Sequence, residues 1–346
     1  MTTTRRSLMG LAAAAALATG LGTVPAAAQE VTLTLHQFLP AQANVPKYVL
    51  DVWADKVEAE SNGRIKIDRF PSMQLGGTPP ELYDQVVDGV ADIVWTVAGY
   101  TPGRFPRAEV FELPFIMTNA EAASRAYWDL YESDMKDADY KDVHMIGVWV
   151  HGPGMIHSKE PITSVADLNG VKLRAPTRTT NMLFKELGAT PVGMPVPAIP
   201  ESLSKGVIDA TVIPWEVTGA LKVPELVSNH TEFGDAALYT TSFVFAMNKA
   251  KYDSLPDDLK AVIDASSGAE FSGFAGKTMA AYDVPTRQAA VDRGNNIVEL
   301  SPDQVAEWQA AAAPVYDQWM AEVESQGIDG ADLIARAKAL MEKYAN

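Results

Sequence analysis

A chain of 346 residues with a formal charge of −16 repels polyanions, which argues against nucleic acid and anionic lipid surfaces as partners. It has no cysteine, so no disulfide holds it and its stability rests on burial. The length exceeds what one hydrophobic core usually serves, which predicts two lobes.

The chain opens with Arg5 and Arg6, then a run of Leu, Ala and Gly from Leu8 to about Gly22, then small residues up to Ala28. A charged start, a short apolar middle and a small-residue end make a secretory signal peptide over residues 1–28. The run is too short to span a bilayer, and a lipoprotein anchor would need a cysteine. The arginine pair also suits twin-arginine export. An exported, periplasmic protein is expected.

Val31–Phe38 alternates as a strand does. From Val45 to Glu60, Val49, Val52, Trp53, the stem of Lys56 and Val57 follow helical spacing, and Asn62-Gly63 stops the helix. Arg64–Phe70 alternates again, Pro79 opens a second helix ending at Gly89, and Ala91–Val97 reads as a buried strand. This βαβαβ opening predicts a parallel or mixed sheet covered by helices.

A second round begins at the apolar strand Met145–Val150, with a turn or crossover at Gly152–Gly154. A short helical turn at Ser164–Asn169 precedes the strand Val171–Ala175. The helix Thr180–Leu187 stops at Gly188, and Ile199–Lys205 leads through Gly206 to a strand at Ile208–Ile213. Asp88-Gly89-Val90-Ala91-Asp92 and Lys205-Gly206-Val207-Ile208-Asp209 echo each other, either as generic helix-to-strand chemistry or as two lobes on one plan. The last third is mainly helical: one long pattern over Pro256–Ala290, then amphipathic stretches at Pro302–Gln326 and Ala331–Tyr344.

Catalytic constellations are missing. No HExxH, GxSxG or GxGxxG occurs. Gly276-Lys277-Thr278 resembles the end of a phosphate loop, but the required earlier glycine is Phe271. His151 and His157 are six apart across a turn, which is not a metal-ligand spacing. Asp257-Asp258 fits a helix N-terminus. Neither an enzyme nor a bound cofactor or metal is expected; an exported hydrolase is the distant alternative.

Several segments together resemble the DctP-type solute-binding subunit of TRAP (tripartite ATP-independent periplasmic) transporters. They include Gly63-Arg64-Ile65-Lys66-Ile67 with Phe70-Pro71, Gln74-Leu75-Gly76, and Phe111-Glu112-Leu113-Pro114-Phe115. They continue with the run from Ser164 through Gly170-Val171-Lys172-Leu173-Arg174-Ala175-Pro176, then Leu187-Gly188-Ala189-Thr190-Pro191-Val192. Pro200-Glu201 and Gly206-Val207-Ile208-Asp209 complete the set. The resemblance implies a two-lobed α/β periplasmic-binding-protein fold that closes a cleft on an organic acid. It also implies a small and a large membrane subunit as partners, and a monomeric receptor. The expected lobes are residues 29–151 with about 240–279, and 152–239 with about 280–346.

In that family the arginine of the Gly-x-Lys-Leu-Arg-x-Pro strand anchors the ligand, and it falls on Arg174. A guanidinium at a strand end can hold a carboxylate through two parallel hydrogen bonds. Many relatives carry a second arginine about nineteen residues earlier, where this chain has Met155; its loss implies one carboxylate and a less polar remainder. Other strand-end candidates are Phe38, Trp95 and Tyr100 in the first lobe, and Trp149, His151, Thr177 and Trp215 in the second, with Phe243 added on the chain's return. Rigid aromatic walls suit a flat or aromatic acid. A dicarboxylate, hydroxy acid or sugar acid is the alternative ligand. Glu216 is expected to face water, though it could also meet a ligand hydroxyl or a cation.

Overall fold

In the computed structural model, which describes residues 29–345, the alternating segment Val31–His36 forms strand β1, with Leu33 and Leu35 buried. The expected signal peptide, residues 1–28, lies outside the described residues. Next come β2 (Ile65–Phe70), β3 (Ile93–Val97), β4 (Val143–Val150), β5 (Met155–Ser158) and β6 (Lys172–Ala175). After them come β7 (Thr190–Gly193), β8 (Ala210–Ile213), β9 (Asn229–Glu232), β10 (Ser242–Asn248) and β11 (Asn296–Glu299). They make two sheets, ordered β2-β1-β3-β10-β4 and β11-β9-β5-β8-β6-β7. Each is covered by helices, so the expected pair of α/β lobes is present.

The lobes share one plan. In the first, β1 runs parallel to β2 and β3, while β10 runs antiparallel to β3 and β4. In the second, β6 runs parallel to β7 and β8, while β5 runs antiparallel to β8 and β9. Strand for strand, β7-β6-β8-β5-β9 repeats β2-β1-β3-β10-β4, and β11 is added in parallel beyond β9.

The sequence echo falls on equivalent turns. Gly89 and Gly206 adopt φ of 75° and 70°, a conformation that costs glycine little. The next residue closes the helix behind each: the N–H of Val90 donates to the carbonyl of Gln85, and that of Val207 to Ser202, at 2.8 and 2.9 Å.

The chain passes from the first sheet to the second between Val150 and Met155, and returns between Glu232 and Ser242. It leaves again along helices Ala269–Ala281 and Asp283–Asp292, separated by Tyr282 alone. The break has a local cause, because Pro285 lacks an N–H and its ring crowds the carbonyl of Ala281. The expected single pattern over Pro256–Ala290 is therefore three helices, the first being Asp257–Ala265.

Two packing expectations are corrected. In the helix Asp51–Glu60, Trp53 and Val57 are buried, but Val52 is 45% exposed and Lys56 points outward to pair with Glu60. The C-terminal helices do not all belong to the second lobe. Helix Pro302–Ala312 does, through Trp308 and Val305. Helix Gly330–Ala345 instead packs on Ala120–Leu130 of the first lobe, with Arg336 pairing Asp134 and Lys343 pairing Asp129.

Candidate functional site

The carboxyl ends of β1, β3, β6 and β8 converge between the sheets, where open α/β sheets place their ligands. Phe38 follows β1, Tyr100 follows β3, Pro176 follows β6 and Pro214 follows β8; all four line one cavity.

The first lobe supplies a stack of rings. Phe38 lies on Trp95 at 4.6 Å and 18°, Trp95 on Phe243 at 5.3 Å, and Tyr100 meets Phe38 edge-on at 5.7 Å. Trp149 lies parallel behind Trp95 at 6.2 Å and 4°. The wall is thus the outer layer of the core and is held flat from behind.

The second lobe supplies charge. Arg174 is 1% exposed. Its Nε–H donates to the carbonyl of Met194 at 2.9 Å and an Nη1–H to that of Val212 at 3.0 Å. Among the described residues no carboxylate pairs with it. Burial lowers its pKa, opposed by the nearby oxygens of Tyr100 and Tyr239, yet a guanidinium stays charged. Both phenols are pushed up by burial and stay neutral. A buried cation held only by backbone carbonyls and phenols leaves its remaining fork for an anion.

His151 follows β4 and lines the cavity. Burial, with a smaller contribution from the charge of Arg174, drives its pKa down to about 4, against an opposing hydrogen bond to Gly152. Its Nδ1–H donates to the carbonyl of Gly152, so the neutral ring turns an Nε2 lone pair outward.

Glu216 is the largest departure from expectation. It is 3% exposed and lines the cavity rather than facing water. Burial first, and the charge of Asp283 second, push its carboxyl up to about 8 despite a hydrogen bond from Asn44.

Of the ten residues expected at the site, Phe38, Trp95, Tyr100, His151, Arg174 and Phe243 line this cavity together. Four lie off its lining. Trp149 is in the layer behind, with Nε1 directed at the sulfur of Met279 at 3.1 Å. Trp215 turns into the second lobe, where its Nε1–H donates to Glu232 at 2.7 Å beside His157 and His230. Met155 packs with Trp215 and Ala290. Thr177 caps the helix Arg178–Glu186 by accepting from Thr180, and borders a neighbouring groove. Tyr239 and Thr241, on the segment returning to β10, line the cavity without having been anticipated. The signal available was their place on a crossing segment, which a hinged cleft must border.

The lobes are shut on each other. The side-chain amide of Asn44 donates to the carbonyl of Glu216 at 2.7 Å, and Val196 N–H to the hydroxyl of Tyr100 at 2.9 Å. Arg178 bridges to Glu109 across the gap. Gly99 lies so close to Thr177 that a Cβ there would meet Thr177 Cγ2 at 2.4 Å.

Twin lobes, crossing segments and a buried cavity with an unpaired cation are the architecture of a hinged solute-binding protein. The chain belongs to the DctP family, bacterial extracellular solute-binding proteins of family 7, which it matches over residues 36–323. It is similar to a TRAP solute-binding protein from Rhodoferax ferrireducens solved with copurified benzoate. The two are 48% identical, the match covers 91% of this chain and 98% of that one, and the TM-score is 0.89. A marine metagenome TRAP solute-binding protein specific for aromatic acids, solved with 3-hydroxybenzoate, is 49% identical over 92% of this chain and 100% of that one, with TM-score 0.89. The C4-dicarboxylate-binding periplasmic protein DctP of Rhodobacter capsulatus is 25% identical over 97% of this chain and 98% of its own length.

Proposed function

We propose that the protein is an extracytoplasmic receptor that closes on an aromatic monocarboxylate and hands it to the small and large membrane subunits of a TRAP transporter. The observation that carries this reading is Arg174, buried and without an acidic partner among the described residues, at a cavity walled by Phe38, Trp95 and Phe243. The carboxylate takes the free edge of the guanidinium, and the ring lies against the aromatic wall. Closure follows because the ligand touches both lobes and so stabilises the shut form over the open one. The lining is mostly apolar and aromatic, which suits the ring of such an acid. The two relatives near half identity, solved with benzoate and 3-hydroxybenzoate, support the same ligand class. Residues 1–28 are assigned as the export signal, so N-terminal sequencing of periplasmic material should begin near Gln29.

The test is thermal unfolding of ligand-stripped protein against benzoate, substituted benzoates, dicarboxylates and sugar acids. An acid present at about 100 times its Kd adds about 2.7 kcal/mol and raises the midpoint. Benzoates should give the largest shifts. Shifts from succinate or galactonate with none from benzoates would overturn the reading.

A further inference from the structure

The cavity lining holds two charged residues, Arg174 and Glu216. Around Arg174 stand Tyr100, Tyr239 and His151, all of which feel its charge. Glu216 stands on the helical turn Trp215–Thr218 after β8, and the charge that acts on it is Asp283. Its backbone is pinned on both sides, since its N–H donates to Asp283 at 2.8 Å and its carbonyl accepts from Asn44 at 2.7 Å. Its side chain is buried, and among the described residues Oε2 has no hydrogen-bond partner. A buried carboxyl oxygen left without a partner is destabilising unless something else meets it. The sequence neighbours of Glu216 in the lining, Pro214 and Val217, are apolar.

We infer that Glu216 is a specificity residue that hydrogen-bonds a ring hydroxyl of the ligand, so that the preferred solute is a hydroxylated aromatic acid with its phenol away from the carboxylate. This rests on the aromatic-acid reading above and narrows it. A phenol suits the position because its hydroxyl both donates and accepts, and so satisfies a carboxyl in either protonation state. A second carboxylate does not suit it, because a buried acid with Asp283 nearby resists another negative charge. The hydroxyl belongs at the meta or para position, because an ortho hydroxyl stays beside the carboxylate at the Arg174 end.

The experiment is calorimetric titration of the ligand-stripped protein with benzoate and 2-, 3- and 4-hydroxybenzoate, repeated on Glu216→Leu and Glu216→Gln. The wild-type protein should bind the 3- or 4-hydroxy acid at least about tenfold more tightly than benzoate. Glu216→Leu should erase that preference, and Glu216→Gln, which keeps a donor and an acceptor, should retain it. A preference that survives Glu216→Leu, or one for the 2-hydroxy acid, overturns the inference. Should Glu216→Leu not fold, 3- and 4-methylbenzoate decide on the wild-type protein, since they fill the same space without a hydrogen bond; binding equal to the phenols is fatal. Benzoate binding without any hydroxyl preference sinks this inference alone, whereas failure of all four acids to bind sinks the aromatic-acid reading with it.

Discussion

His36 and Arg174 hold the same place in the two lobes. His36 stands opposite the second residue of β3 and Arg174 opposite the second residue of β8, and both are buried. Each reaches the loop after the outer strand of its lobe: Nε2 of His36 accepts from Leu75 after β2, and Nε of Arg174 donates to Met194 after β7. The difference lies in what remains. An imidazole has two nitrogens, and the second faces Gln85 at 2.8 Å, so His36 is fully used inside its own lobe. A guanidinium has five N–H donors, and backbone carbonyls take only two of them. One topology thus yields a fully used residue in one lobe and a buried cation with donors to spare in the other.

The first lobe answers with shape and the second with charge, and that division can be broken experimentally. Trp95→Ala removes a ring buried among Phe38, Trp149 and Phe243. It should cost about 3–5 kcal/mol of stability as well as affinity, and a denaturation midpoint near wild type would show that the wall is not part of the core. Arg174→Met should remove about 2–5 kcal/mol of binding to benzoates by calorimetry, while the ligand-free protein stays folded. Near-normal affinity in that variant would end the anchor role.

A pH series separates Glu216 from the rest. Its carboxyl rises from its ordinary 4.5 to about 8, so the folded protein holds that proton more tightly than the unfolded chain. The stability it contributes is full below about 4.5 and is lost as pH rises through about 8. Between pH 6 and 8, wild type should lose on the order of 2 kcal/mol relative to Glu216→Gln in chemical denaturation. Parallel curves would mean the carboxyl is ionised throughout. The smallest effect is expected from Asn44→Ala, which deletes one hydrogen bond between the lobes. Affinity should fall by about 1 kcal/mol, and small-angle scattering of the ligand-free protein should show a larger radius; an unchanged radius and affinity would make that bond incidental.

Helix-to-strand turns were legible because their chemistry is local: the glycines at 89 and 206 announce themselves and the same capping bonds follow. Arg174 was legible through its motif, but its desolvation was not, since the carbonyls that hold it come from residues 194 and 212. Strands β5, β7, β9, β10 and β11 carry little alternation to read. β5 and β9–β10 are buried along their length, and β7 and β11 are only four residues long. Amphipathicity in Gly330–Ala345 reveals an apolar face but not which lobe will receive it. Glu216 misled because its burial depends on Asn44 and Asp283, both remote along the chain.

The contact at Gly99 separates two events that usually occur together. Thr177 cannot swing aside without surrendering its cap on the helix that follows. With alanine at 99 the lobes would stop about one methyl group short of shut, while Arg174 and the aromatic wall stayed intact. Such a receptor would be occupied yet unable to latch, so solute would come and go quickly.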